Sequence, residues 1–340
     1  MKTMSFVKLV AIAVLILASL NIVGCGRSDE GPSLSGTYVR AGIMDVAQSQ
    51  SWAAVGEATY LRDRTGTLNY NHSAFGPIAG LRIAYTLDKT GVLGETISMP
   101  GAAGETTNGA VTADNHVMVV IDDDEDDELV GLEVGIHLSS AKVDPSGNIY
   151  HYMGYRSQAS GGPSSTTYSG IASFNSDGSG QVVGDGFSVP FIYTIGNEGR
   201  LSVEHDLVGG TGAMTSDKTV LAISDYDAAD NVVGLHVGIK KRSGMTVSDL
   251  KGAYHFFFLV SSGGDRADTA RVEFDGAGNA LLSDFTHAIT GTYSVSEDGA
   301  FELITDFDSW KGAVRENGKF FVAVDSVPPN DSMILGIAQW

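Results

Sequence analysis

Gly131-Leu132-Glu133-Val134-Gly135-Ile136 returns as Gly234-Leu235-His236-Val237-Gly238-Ile239, and again, reduced, as Leu335-Gly336-Ile337. Recurrence at a spacing of roughly 100 residues marks an internal repeat, which bounds the architecture before any single strand is read. Two further markers keep their order in each unit. Tyr85-Thr86-Leu87, Tyr193-Thr194-Ile195 and Tyr293-Ser294-Val295 precede Gly91, Gly199 and Gly299. Gly109-Ala110-Val111, Gly212-Ala213-Met214 and Gly312-Ala313-Val314 come next. Each unit opens on a Gly and a Tyr: Gly36 and Tyr38, Gly147 and Tyr150, Gly252 and Tyr254.

Within a unit, apolar residues alternate with polar ones between Gly, Asn and Asp turns, the pattern of antiparallel strands. Asn175-Ser176-Asp177-Gly178 and Phe274-Asp275-Gly276 place Gly where a hairpin needs positive φ. Each unit is expected to hold about seven or eight strands, mostly five to eight residues long, which in the second unit include Tyr168–Phe174, Gln181–Val183, Phe191–Ile195, Leu201–Glu204, Val220–Ser224 and Val232–Lys240. The fold class is all-β: three tandem antiparallel meander or barrel-like repeats over residues 35–146, 147–250 and 251–340. They either pack together or close around one pseudo-threefold axis. Glu133 and His137 interrupt the apolar strand Leu132–Leu138, so one of its faces is expected to be wet. Met333–Trp340 and Tyr254–Val260 are apolar on both faces, as strands buried on both sides are. The third unit is therefore expected to dock on its neighbours.

Lys2 and Lys8 precede an apolar stretch from Leu9 to Leu20. That length suits a signal-peptide core and is too short to span a membrane. Ile22-Val23-Gly24-Cys25 then resembles the lipobox of bacterial lipoproteins. The resemblance implies a signal peptide over residues 1–24, cleavage between Gly24 and Cys25, and acyl chains such as palmitate on Cys25. Stable anchoring takes more than one chain, which a triacylated cysteine supplies. Gly26, in place of the Asp that commonly retains lipoproteins at the inner membrane, implies the outer membrane. Residues 25–34 read as a lipidated tether. The lipobox followed by a repetitive, Gly-rich β chain also resembles, across the mature chain, the bacterial lipoproteins nicknamed β-flowers.

Cys25 is the single cysteine, so disulfides and thiol-based metal or redox sites are excluded. The formal charge is −20, and removal of Lys2 and Lys8 makes it more negative by two. A chain this acidic repels phosphate backbones, which excludes nucleic acid as a partner.

Asp122-Asp123-Asp124-Glu125-Asp126-Asp127-Glu128 is the most conspicuous charge run. Oxygen-rich loops hold Ca²⁺, which makes Asp122, Asp124 and Asp126 candidates, but the spacing is not that of an EF-hand. A solvated acidic loop is the expectation, with Asp225, Asp227, Asp230, Asp325 and Asp331 in the matching loops. The eight histidines, among them His151, His236, His255 and His287, form no zinc motif and do not recur as a set in the three units, and most are expected at strand surfaces. No nucleophile elbow or phosphate loop is present, and no cofactor is expected. Tyr85, Tyr193 and Tyr293 read as core residues whose hydroxyls reach a partner. Trp340 after alternating apolar residues resembles the last strand of an outer-membrane barrel, but the strands read as too short to span. The expectation is a membrane-tethered, non-enzymatic β module for a ligand or partner of the envelope. A glycan-active hydrolase and a structural surface protein are the alternatives.

Overall fold

The alternation of apolar and polar residues becomes three closed antiparallel barrels of eight strands each. The computed structural model describes residues 32–46, 50–72, 76–99, 104–122, 129–158, 165–205, 208–227, 230–260, 266–283, 288–325 and 331–340. Barrel 1 comprises β1 (Gly36–Val46), β2 (Gln50–Tyr60), β3 (Thr65–His72), β4 (Gly76–Leu87), β5 (Val92–Ser98), β6 (Glu105–Val111), β7 (Val117–Asp122) and β8 (Leu129–His137). Barrel 2 comprises β9 (Ile149–Gln158), β10 (Ser165–Phe174), β11 (Ser179–Gly184), β12 (Phe187–Ile195), β13 (Arg200–His205), β14 (Val208–Met214), β15 (Val220–Asp227) and β16 (Val232–Lys240). Barrel 3 comprises β17 (Lys251–Val260), β18 (Arg266–Asp275), β19 (Asn279–Ser283), β20 (Ala288–Val295), β21 (Ala300–Thr305), β22 (Ser309–Val314), β23 (Phe320–Asp325) and β24 (Ser332–Ala338). Neighbours in sequence are neighbours in the wall, and β8, β16 and β24 close onto β1, β9 and β17.

Each barrel has its own interior core, and one further core is shared. Val134, Val237 and Leu335, at matching positions of β8, β16 and β24, point out of their barrels into that shared core. So do Ala110, Ala213 and Ala313 of the Gly-Ala marker. Burial of one Val or Leu side chain stabilises by about 1.5–3 kcal/mol. Separation of the barrels would expose a continuous apolar stripe on each, so the three hold together through the outer faces of these strands. All the cores lie within Ser33–Trp340, which forms one compact unit. No buried core residue among the described residues lies outside that unit. Each barrel is closed on itself, and the three pack together around the shared core.

The repeated glycines have a steric reason. Gly135, Gly238 and Gly336 face their barrel interiors, where an added Cβ would fall 2.4 Å from Met118, 2.8 Å from Leu221 and 1.9 Å from Phe321. Gly91, Gly199 and Gly299 sit in turns at φ of 86°, 87° and 88°. The segment after each barrel covers that turn in the next: Val143 lies against Gly199 and Met245 against Gly299. Trp340 returns to barrel 1, where it meets Gly91 and its Nε1 donates to Val111 O at 2.8 Å.

Two expectations are corrected. The face of β8 that carries Glu133 is not wet: it is the barrel interior, and Glu133 is buried there. Leu34, counted with the tether, is fully buried in the core of barrel 1, and its N–H donates to the Tyr85 hydroxyl. Most strands are five to eight residues long, as read, and the longest, β4, has 12. The wall of barrel 1 presents Thr67, Asn69, Arg82, Thr86 and Thr96 outward, with Leu68, Ile83, Tyr85 and Leu87 inside, the reverse of a transmembrane barrel. No helix among the described residues is long and apolar enough to cross a membrane.

Candidate functional site

The three interiors are built on one register but filled differently. In barrel 1, β1 places Arg40 inside, where it is fully buried. Its Nη1 donates to Glu95 Oε2 at 2.9 Å and its Nε to Glu133 Oε2 at 2.6 Å. Tyr70 donates to Glu133 Oε1 at 2.6 Å, and Tyr60 donates to Glu95. These bonds satisfy the buried charges. A cavity of about 270 Å³ remains beside the cluster. In barrel 3 the same space is packed with rings: Phe274 lies 5.7 Å from Phe321 and 6.1 Å from Phe301, and Phe256 6.1 Å from Phe258.

Barrel 2 holds a cavity of about 500 Å³, within the range of about 300–1,000 Å³ usual for small-molecule sites. Strand pairing explains the space. Val203 stands where barrel 1 has Glu95 and barrel 3 has Leu303, each opposite the marker tyrosine. Gly154 stands opposite His236 where Phe258 stands opposite Ile334. Gly154 also lets the Tyr168 ring lie flat on the wall, since a Cβ there would fall 2.3 Å from Tyr168 Cζ.

One polar chain crosses this largely apolar chamber. The Tyr168 hydroxyl lies 2.6 Å from His236 Nδ1. His236 Nε2 stands 3.0 Å from Asp225 Oδ1, and Arg156 Nη2 donates to Asp225 Oδ2 at 2.7 Å. Tyr152 stacks on the His236 ring, centroids 5.6 Å apart and planes within 10°. The tautomer with its proton on Nε2, toward the Asp225 carboxylate, leaves Nδ1 to accept from Tyr168. Burial works to raise the Asp225 pKa, but His236 and Arg156 outweigh it and hold the carboxyl well below its ordinary range. Burial pushes the Tyr168 and Tyr152 hydroxyls up. His205, at the rim, is lowered by burial and by Arg156. Gly234 makes room for the pair, because a Cβ there would fall 2.2 Å from Asp225 Oδ1 and 2.7 Å from His236 Nε2.

The expected site residues fare unequally. Gly24, Cys25, Asp124 and Asp126 lie outside the described residues, as does His287. Asp122 ends β7, and among the described residues no cluster of His, Cys, Asp and Glu is arranged to hold a metal ion. Asp225 belongs to the barrel 2 cavity and not to a solvated loop. Asp331 serves the junction of barrels 2 and 3, where it accepts from Thr167 N at 3.3 Å. Nor are the histidines surface residues throughout: His151 and His236 are buried. His151 and His255 both follow the opening Tyr of their unit, while the first unit has Val39 there. His151 Nε2 lies 3.0 Å from Asp298 O and His255 Nε2 3.0 Å from Thr90 O, each bridging to the next barrel. Tyr85, Tyr193 and Tyr293 act as read: their hydroxyls donate to Leu61 O, Asn175 O and Leu250 O at 2.8, 2.6 and 2.7 Å. The signal for the cavity was the exchange of Glu133 for His236 in an otherwise matching motif.

No protein-family model and no curated protein matches the chain. Among solved structures, transferrin binding protein B from serogroup B Neisseria meningitidis is similar at 12% identity and a TM-score of 0.31, over 91% of this chain and 77% of that one. The Haemophilus parasuis Hp5 protein of that name gives 10%, 0.30, 91% and 77%. A family 43 glycoside hydrolase from Bacillus licheniformis gives 9%, 0.23, 87% and 82%. Likeness at that level bears on no functional question, so function is argued from this chain's own side chains.

Proposed function

We propose that the chain is a non-enzymatic, lipid-anchored binding protein of the bacterial envelope that holds a small ligand inside barrel 2. One observation carries this reading: of three interiors built to one plan, barrel 1 is narrowed to about 270 Å³ by the buried Arg40–Glu95–Glu133 cluster, barrel 3 is packed with aromatic rings, and barrel 2 keeps about 500 Å³ around an ordered polar chain. The anchor is Cys25, exposed by cleavage after Gly24, with the outer membrane as the destination. Barrels 1 and 3 brace barrel 2 through the shared core. The test uses the unit Ser33–Trp340 and N-phenyl-1-naphthylamine, an uncharged dye that fluoresces in apolar surroundings. Saturable binding is expected, and Val203→Phe, which puts a larger side chain into the cavity, should abolish it without lowering the melting temperature. Absence of saturable binding, or binding untouched by Val203→Phe, contradicts the reading.

A further inference from the structure

The polar chain in barrel 2 also restricts what the cavity accepts, an inference that rests on the binding role proposed above. The chamber contains one carboxylate, Asp225, and one guanidinium, Arg156, paired at 2.7 Å. Their charges cancel. A ligand carboxylate or phosphate would bring a second negative charge beside Asp225, and an ammonium a second positive one beside Arg156. Either would leave a charge without a partner in an apolar chamber, which costs far more than a neutral group does.

Hydrogen-bonding capacity is nevertheless left over. Arg156 Nε is buried and has no hydrogen-bond partner among the described residues. With the His236 proton on Nε2, the Tyr168 hydroxyl donates a hydrogen bond to Nδ1, and its oxygen, which Arg156 already approaches, keeps a second lone pair that can accept. β9 pairs with β10 so that Arg156 faces Thr166 and Gly154 faces Tyr168. Arg156 and Tyr168 are therefore diagonal neighbours on the inner face, within side-chain reach of one another. A single group that accepts from Arg156 Nε–H and donates to the Tyr168 oxygen meets both needs, as an alcohol hydroxyl does. Below that point the wall is Phe174, Phe191, Val182 and Ile223.

We infer that barrel 2 selects an uncharged amphiphile, an apolar body with a hydroxyl head seated between Arg156 and Tyr168. The test displaces bound N-phenyl-1-naphthylamine from Ser33–Trp340 with 1-decanol, decanoate and decylammonium at neutral pH. 1-Decanol should displace at the lowest concentration. Partitioning alone already favours decanol over either ion, so the readout is the ratio between competitors in variants. Tyr168→Phe should shrink the preference for decanol over both ions by about tenfold, the usual cost of stranding a buried polar group, whereas Arg156→Gln, which leaves Asp225 without its counter-charge, should shrink it against decylammonium and widen it against decanoate. Tyr168→Phe removes one oxygen only and carries the test if Arg156→Gln fails to fold. A preference for either ion, or a ratio unchanged in the variants, overturns the inference while dye binding, and with it the binding role, stands. Loss of dye binding in the native chain overturns both.

Discussion

Arg315 Nη2 donates to Asp217 Oδ2 at 2.6 Å across the junction of barrels 2 and 3, while Nη1 of the same guanidinium lies 2.8 Å from Asp114 of barrel 1. Its Nε donates to Thr219 Oγ1 at 2.8 Å. Arg315 opens the turn between β22 and β23, as Thr112 and Thr215 open the matching turns. One substitution in a threefold repeat thus places a single cation among three chains of turns, fully buried itself, with both carboxylates about one third exposed.

Arg315→Met should therefore destabilise the protein by about 2–4 kcal/mol. Removal of one partner of a buried ion pair costs about 3–5 kcal/mol, and the partial exposure of Asp114 and Asp217 lowers that. Urea unfolding of Ser33–Trp340 measures it. A change below about 0.5 kcal/mol, the ordinary surface value, would show that the junction is not held by this residue.

The same junction sets a pH dependence. Burial works to raise Asp217, but hydrogen bonds from His116, Thr215 and Thr219 and the charge of Arg315 take it well below its ordinary 3.8. A depressed carboxyl contributes stability that is complete above its unfolded pKa and is lost as pH falls through its folded one. His116 is raised above 6.5, chiefly by its hydrogen bond to Asp217. Its contribution is complete below 6.5 and lost as pH rises through the folded value. The stability gap between the native chain and Asp217→Asn should thus be widest near pH 5.5, and narrower near pH 3 and near pH 8. Denaturant midpoints at the three values check this, and a constant gap refutes it.

Gly212 tests the Gly-Ala marker. A Cβ on Gly212 would fall 1.8 Å from Ala222 O, whereas one on Gly209 meets nothing within 4 Å. Gly212→Ala should cost about 1–3 kcal/mol or more, as overpacking does, and Gly209→Ala should be near neutral. Equal thermal shifts for the two would contradict the steric reason given for the marker.

Cys25→Ser should abolish incorporation of labelled palmitate and leave an uncleaved precursor, because serine lacks the nucleophilic sulfur. Labelling of the serine variant would remove the anchor from the account.

The repeats made the barrels legible, because Gly135, Gly238 and Gly336 recur for a steric reason that leaves a fixed spacing. Docking was legible in the double apolar faces of Tyr254–Val260 and Met333–Trp340. The cavity was not. Glu133 and His236 interrupt an apolar strand, and in a single sheet that marks the solvent face. Only closure of the barrel turns that face inward, and closure depends on pairings such as Tyr150 with Lys240 that no local pattern encodes. Arg315 was hidden likewise, since its partners lie 98 and 199 residues away in sequence.

The account turns on a ligand seated in barrel 2, and methyl-resolved NMR of Ser33–Trp340 tests that most directly. Titration with 1-decanol should shift the methyls of Val182, Val203, Ile223 and Val232 in barrel 2. Leu303 and Ile334 of barrel 3, which face a filled interior, should not move. Shifts centred on barrel 3 or on the outer walls, or none at saturating decanol, would contradict it.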